Sequence, residues 1–162
     1  MTNLIYTTID SPIGELLLVG DGERLHRLSM QGGRRPTPVD ADWERRDDAF
    51  ADVRSQLAEY FDGSRSEFDV PLGLEGNPFE LRVWQALCEI PYGKTVSYGQ
   101  IAREIGAPSA ARAVGLANGR NPVAVVVPCH RVIGADGSLT GYGGGLEMKA
   151  WLLDHERRHR AS

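Results

Sequence analysis

Cys129 and His130 are neighbours in the stretch Val127-Pro128-Cys129-His130-Arg131-Val132-Ile133-Gly134, between an apolar run and a glycine-rich one. A thiolate is a soft, strong nucleophile whose availability depends on nearby charge and on a base. His130 supplies a base and Arg131 a positive charge. Successive residues of an extended chain point to opposite sides, so in an extended segment His130 reaches Cys129 only through a water or a turn. Glu156, in the last helical pattern, is a carboxylate able to orient an imidazole as carboxylates do in catalytic triads. An isolated cysteine is also a common small buried apolar group, and these residues alone leave both readings of Cys129 open. Cys88 lies on the inner face of an amphipathic helical pattern and is expected to be such a core group.

Other chemistries fit less well. Zinc would need a second cysteine at close spacing, and His26, His155 and His159 follow no ligand pattern. Gly134, Gly137, Gly141, Gly143, Gly144 and Gly145 resemble a phosphate cradle in composition. No Gly-Lys-Ser or Gly-Lys-Thr follows, however, and Leu146-Glu147 opens the next helix with an acid, so a nucleotide loop is not expected.

The elements that must position Cys129 divide at Leu72 to Pro78. In the first half, Leu4 to Ile9 and Glu15 to Val19 read as a hairpin around Ser11-Pro12-Ile13-Gly14, and Leu25 to Met30 as a third strand. Asp40 to Phe61 carries Trp43, Phe50, Val53, Leu57, Tyr60 and Phe61 at mostly three- and four-residue steps, which predicts a helix. Phe68 to Leu72 reads as a short strand. In the second half, Asn77 and Pro78 cap and start a helix with Phe79, Val83, Trp84, Leu87 and Cys88 on its apolar face. Ser97 to Ile105 and Ser109 to Asn118 form two short helices around Gly106-Ala107-Pro108, with Ser97 and Ser109 as N-caps, in the manner of a helix-turn-helix. The second is nearly bare: Ala110, Ala111, Ala113, Gly115 and Ala117 surround Arg112. Small residues permit close helix packing. They also make a helix slim enough for the minor groove of B-DNA, which is about 6 Å wide against about 12 Å for the major groove. Val123 to Val127 reads as a buried strand and Leu146 to His155 as the last helix. The fold class expected is α+β, with units over residues 1–76 and 77–162.

The chain has 162 residues, 41% hydrophobic and 25% charged, enough to bury a proper core and too balanced for wholesale disorder. Its longest apolar run, Val123 to Pro128, is far too short to span a bilayer, so no membrane partner is expected. Two cysteines and the absence of a secretory pattern point to a reduced cytoplasm. The net charge of −4 argues against nucleic acid until it is divided. Residues 1–76 carry 8 Arg and no Lys against 15 acids, a net of −7; the remainder carries 10 Lys and Arg against 7 acids, a net of +3. From 94 to 135, Lys94, Arg103, Arg112, Arg120 and Arg131 face only Glu104. Such a stretch is either ordinary solvated charge or a face for phosphate.

VPCHRVIG at 127–134 resembles the active-site motif of the O6-alkylguanine-DNA alkyltransferases, the methylated-DNA–protein-cysteine methyltransferases. IPYGKTVSYGQIA at 90–102, ARAVGLANGRNP at 111–122 and GYGGGLEMKAWLLDHE at 141–156 resemble further blocks of that family, in order. The resemblance implies a ribonuclease H-like amino-terminal domain with an antiparallel sheet and a mostly helical carboxy-terminal domain with a winged helix-turn-helix-like motif. It implies irreversible, single-turnover transfer of an alkyl group from guanine O6, and possibly thymine O4, in double-stranded DNA to the protein's own cysteine. No metal and no cofactor are called for, and a monomer is expected off DNA.

By the same resemblance Cys129 is the acceptor, His130 the base acting through a water, and Glu156 the carboxylate that orients it. Tyr98 serves the leaving guanine at N3, and Asn121 braces the helix-turn-helix against the active-site segment. Arg112 fills the base stack after the nucleotide is flipped, with Ala111 and Ser97 beside it on the DNA-facing surface. Tyr142 and Gly143 lie on the pocket loop, and Arg131 is a structural anchor. Ala124 stands where vertebrate relatives carry a pocket-bordering proline. No Cys-rich zinc module is present, so a stand-alone repair protein is expected. The competing readings are a non-enzymatic lesion-binding protein, which in the related family lacks the acceptor cysteine, and a Cys-His hydrolase.

Overall fold

The computed structural model describes residues 4–33, 36–140, 142 and 145–159. Three strands follow the expected hairpin pattern: β1 (Ile5–Ile9), β2 (Leu16–Gly20) and β3 (Leu25–Met30), each antiparallel to its sequence neighbour. The central strand β2 is buried throughout. A two-residue strand β4 (Glu44–Arg45) joins the far side of β1 in parallel, giving the order β3-β2-β1-β4. The sheet is therefore antiparallel except at that one edge.

The helix expected over 40–61 is half that length. Helix α1 spans Ala51–Phe61 and begins after Phe50, whose φ of 63° lies in the left-handed region. Residues 44–48 (Glu-Arg-Arg-Asp-Asp) offer no apolar face, and their backbone pairs with β1 through Glu44 N–H to Leu4 O and Arg46 N–H to Tyr6 O. Trp43 instead sits against Tyr6, ring centroids 6.3 Å apart. The spacing Val53, Leu57, Tyr60 supplies the real helix with its buried face.

Helix α2 (Pro78–Cys88) starts as the sequence indicates. Asn77 accepts from Glu80 N–H at 2.8 Å while Glu80 accepts from Asn77 N–H at 3.0 Å, a closed capping box with Pro at the first helical position. Its last residue, Cys88, is exposed rather than in the core, because the buried face is Val83, Trp84, Ala86 and Leu87. A short strand β5 (Val96–Ser97) then leads into helices α3 (Tyr98–Glu104) and α4 (Ala111–Gly119), which pack on each other and on α2. Ser97 caps α3 in a second capping box with Gln100. Ser109 does not cap α4; Ala110 occupies that position and makes no side-chain bond. Trp84 Nε1 donates to Ala117 O at 2.8 Å, fixing α4 on α2. The outward face of α4 is less bare than expected, for Leu116 is 61% exposed alongside Arg112.

Residues 123–127 are buried but form no strand. The outer edge of β3 captures this segment and the 71–73 segment: Leu28 N–H donates to Pro122 O at 3.0 Å and Leu28 O accepts from Ala124 N–H at 3.2 Å. Leu25 does the same with Pro71 O and Gly73 N–H, so Phe68–Leu72 contributes a single bridge and not a strand. After Ala124 the chain turns tightly. Val125 has φ 70°, and Val126 N–H donates back to Ala124 O at 2.8 Å, the pattern of a γ-turn. A β-branched residue in that region holds about 1–3 kcal/mol of strain.

The 3-10 turn Cys129–Arg131 follows, then strand β6 (Val132–Ile133), parallel to β5, and helix α5 (Leu146–His159), one turn longer than expected. Buried apolar residues of both halves form one cluster, from Leu16 and Leu57 to Val127 and Leu152. Among the described residues no helix is long and apolar enough to cross a membrane. Because Asn77 closes the capping box from an exposed position, Asn77→Ala is expected to cost about 1 kcal/mol in urea unfolding. A loss below about 0.3 kcal/mol would contradict that role for the cap.

Candidate active site

Cys129 opens the 3-10 turn, its own N–H bonded to Val127 O at 2.8 Å. Of the two arrangements left open for this stretch, extended or turned, the structure has the turn. The residue is 5% exposed and lines a cavity of about 310 Å³ together with Tyr142, Asn118, Asn121 and Ala124, to which Met30 and Thr37 of the first half also contribute. Burial pushes the thiol up. The Asn121 amide, the Lys149 charge and the Tyr142 hydroxyl oppose that push without cancelling it. A proton acceptor is therefore required for the thiolate to form in appreciable amount.

His130 and Glu156 are fully buried, joined by His130 Nε2 to Glu156 Oε2 at 2.7 Å. With Nε2 as the donor, Nδ1 is the basic nitrogen; it is buried and makes no hydrogen bond to the protein. Burial holds His130 below its ordinary 6.5, against the pull of Glu156, so the imidazole is neutral near pH 7. Burial alone would raise the Glu156 carboxyl, yet the hydrogen bonds and charges of His130 and Arg131 together keep it well below the usual carboxylate range. Arg131 grips both oxygens, Nε to Oε1 at 2.8 Å and Nη2 to Oε2 at 3.0 Å, and its Nη1 donates to Ile90 O at 2.7 Å. That is the anchoring place expected for it.

Asn121 sits where the chain leaves α4: its Nδ2 donates to Val127 O at 2.8 Å and its Oδ1 accepts from Val123 N–H at 3.0 Å. One side chain thus ties both ends of the tight segment before Cys129. Tyr98, at the start of α3, shares a short hydrogen bond with Thr140 Oγ1 on the loop that leads to Tyr142. Ser97, Tyr98, Arg103, Ala111, Arg112 and Gly115 line an open groove along α3 and α4, distinct from the thiol cavity. Arg112 is exposed and makes no ion pair among the described residues. Gly143 lies outside the described residues.

Three residues escaped the sequence reading. Lys149 is fully buried and donates from Nζ to Val132 O at 2.6 Å and Thr140 O at 3.3 Å, clamping both sides of the pocket loop. It lies seven residues before Glu156, on the same helix face, a spacing that marks a lysine turned inward. Asn118 donates to Cys129 O at 3.4 Å. Tyr60, in the remote helix α1, donates to Glu156 Oε2 at 2.7 Å. No local pattern marks it, since its spacing is that of an ordinary core residue. No group of three or more His, Cys, Asp or Glu side chains suited to a metal occurs among the described residues.

A buried thiol thus lines a cavity next to a carboxylate–imidazole pair, in the same half of the chain as a helix-turn-helix. Residues 78–158 match the family model described as 6-O-methylguanine DNA methyltransferase, DNA binding domain, and residues 4–74 match its ribonuclease-like domain. The chain is 57% identical over 154 residues to the methylated-DNA–protein-cysteine methyltransferase of Mycolicibacterium paratuberculosis, covering 95% of this chain and 93% of that one. It is 50% identical to the protein of that name from Methanosarcina acetivorans, covering 94% and 98%. The crystal structure of Mycobacterium tuberculosis O6-methylguanine methyltransferase superposes with a TM-score of 0.92 at 53% identity, over 98% of this chain and 96% of that one. A complex of the M. tuberculosis protein OGT with DNA gives 0.91 at 54% identity, over 96% and 94%. The chain belongs to the methylated-DNA–protein-cysteine methyltransferase family.

The buried pair makes stability depend on pH with a definite sign. The unfolded chain protonates His130 near 6.5 and Glu156 near 4.5, whereas the fold holds both below those values. The His130 contribution is complete above 6.5 and declines below it; that of Glu156 is complete above 4.5 and is lost further into acid. Urea midpoints are expected to fall between pH 7 and pH 4, and a flat profile would contradict the arrangement. Glu156→Gln, which leaves Arg131 buried without its counter-charge, is expected to cost about 3–5 kcal/mol at pH 7.

Proposed function

We propose that the chain repairs O6-alkylguanine in double-stranded DNA by moving the alkyl group irreversibly onto Cys129. The supporting observation is the position of Cys129: a thiol on a cavity wall, followed by a neutral His130 whose other nitrogen is held by Glu156. His130 Nδ1 takes the thiol proton through a water. The thiolate attacks the alkyl carbon, a sulfur–carbon bond forms, and the carbon–O6 bond breaks with its electrons leaving on guanine. Tyr98 then hydrogen-bonds or protonates N3 of the departing base. The sulfide product has no route back to thiol, so each molecule reacts once.

DNA lies along the groove of α3 and α4 with the slim face of α4 in the minor groove. A base inside the stack cannot meet a buried thiol, so the damaged nucleotide is flipped into the cavity, at a cost of a few kcal/mol that is least at an already weakened pair. Arg112, without an ion pair among the described residues and lining the groove with Ala111 and Ser97, fills the gap, and Asn121 and Tyr142 shape the pocket that receives the base. Lys94, Arg103 and Arg120 hold phosphates without reading sequence. The chain acts as a cytoplasmic monomer, its two units being residues 1–76 and 77–162.

Incubation with a duplex carrying O6-methylguanine, followed by peptide mass spectrometry, is expected to place one methyl group on Cys129 and none on Cys88; Cys129→Ser is expected to abolish it. Methyl on another residue would overturn the assignment, binding without loss of methyl from the DNA would favour a lesion-binding protein, and repeated turnover would favour a hydrolase. Arg112→Ala is expected to weaken lesion-DNA binding and slow transfer about tenfold, or about 1.4 kcal/mol, a part of the few kcal/mol that holding an extruded base demands. An unchanged rate would remove Arg112 from that role.

A further inference from the structure

Glu156 receives more donors than a carboxylate has lone-pair positions. Oε2 accepts from His130 Nε2 at 2.7 Å, Tyr60 hydroxyl at 2.7 Å and Arg131 Nη2 at 3.0 Å. Oε1 accepts from Arg131 Nε at 2.8 Å and Gly93 N–H at 3.3 Å. Two oxygens offer about four such positions, so the five donors compete for the same negative charge. Tyr60 is the one side chain in this set that comes from the amino-terminal half.

The Tyr60 ring alone would satisfy packing. It is fully buried against Phe61, Phe68, Tyr92 and His155, with ring centroids 5.2 to 6.2 Å away. A hydroxyl added to that aromatic nest must be desolvated, and its partner is the carboxylate oxygen on which His130 rests. Burial, and then the charge of Glu156, push the phenol well above its ordinary range, so it remains a donor throughout the working pH range. The groups facing the pair are Arg131 on the 3-10 turn, Tyr92 after α2, Tyr142 on the pocket loop, Lys149 and His155 on α5, and Tyr60 on α1.

We propose that Tyr60 is a positioning residue of the acceptor site: its hydroxyl fixes the Glu156 oxygen that holds His130 and withdraws charge from it, so helix α1 sets the pH below which His130 is already protonated and cannot take the proton of Cys129. This rests on the alkyl-transfer reading for its consequence, though not for its geometry. Losing the hydroxyl concentrates the carboxylate charge on the imidazole and favours its protonated form.

The test uses the full chain as wild type and Tyr60→Phe, with single-turnover methyl transfer from O6-methylguanine DNA measured between pH 4.5 and 8.5. Labelled-histidine NMR follows the His130 ring over the same range without DNA, assigned by its loss in His130→Gln. Tyr60→Phe is expected to move the acid limb and the His130 titration upward together by about 0.5–1 pH unit. At the wild-type midpoint the rate then falls about two- to fivefold, while the plateau stays within about twofold. A 3,5-difluorotyrosine introduced at position 60 is a stronger donor of nearly the same shape and is expected to move both downward, which a packing role would not do. An unchanged His130 titration in Tyr60→Phe, whatever the melting temperature, overturns the proposal, as does a shift of the same sign in both variants. If wild type removes no methyl group, the alkyl-transfer reading fails, and the DNA-free titration still decides Tyr60.

Discussion

The structure is organised around one buried negative charge. Glu156 collects its hydrogen bonds from α1, from the turn after α2 and from two consecutive residues of the reactive turn, and it sits on α5 itself. An ionised carboxylate taken out of water is tolerable only when nearly every lone pair is occupied by a charged or strongly polar donor. That demand explains why Arg131 is buried at all, and why its remaining nitrogen is spent on Ile90 O. The sequence Cys-His-Arg can then be understood as one device. The third residue keeps the carboxylate ionised, so that it receives a hydrogen bond from the second instead of a proton.

Lys149 performs the matching task for the pocket loop. Its ammonium is fully buried and bonded to the carbonyls of Val132 and Thr140, and Thr140 also engages Tyr98. Burial lowers the Lys149 ammonium while the nearby thiol sulfur pulls the other way. The Lys149 charge therefore acts on the Cys129 thiol, and the same group holds the loop that bounds the cavity. Electrostatic support and loop geometry cannot be varied separately at this position.

Much of the site was legible because it is local in sequence. Asn77, Ser97 and the caps they form depend on residues three apart, and the Cys129-His130-Arg131 triplet is contiguous. The resemblance of four blocks supplied Asn121, whereas Glu156 already stood out as a carboxylate able to orient His130. Two of the misreadings share a physical origin, backbone hydrogen bonds satisfied by distant segments. Apolar 123–127 looked like a strand, but the β3 edge and the Asn121 side chain take its bonds and fold it into tight turns. Periodicity over 40–61 promised a long helix, but β1 took the charged portion as β4. Tyr60 and Lys149 obey ordinary core spacing, and nothing in their immediate sequence reveals that their polar ends meet functional groups. Cys88 illustrates the converse, since helical phase alone misplaced a residue at a helix end.

The outer edge of β3 has a role beyond support. An open edge strand presents unpaired N–H and C=O groups to any other extended chain, which makes it a template for aggregation. Here the groups of Leu25 and Leu28 are occupied by residues 71–73 and 122–124, the second of which leads directly to Cys129. The segment that leads into Cys129 is thus also the one that seals the sheet. Anything that dislodges that segment uncovers the unpaired N–H and C=O of Leu28 on an otherwise occupied edge.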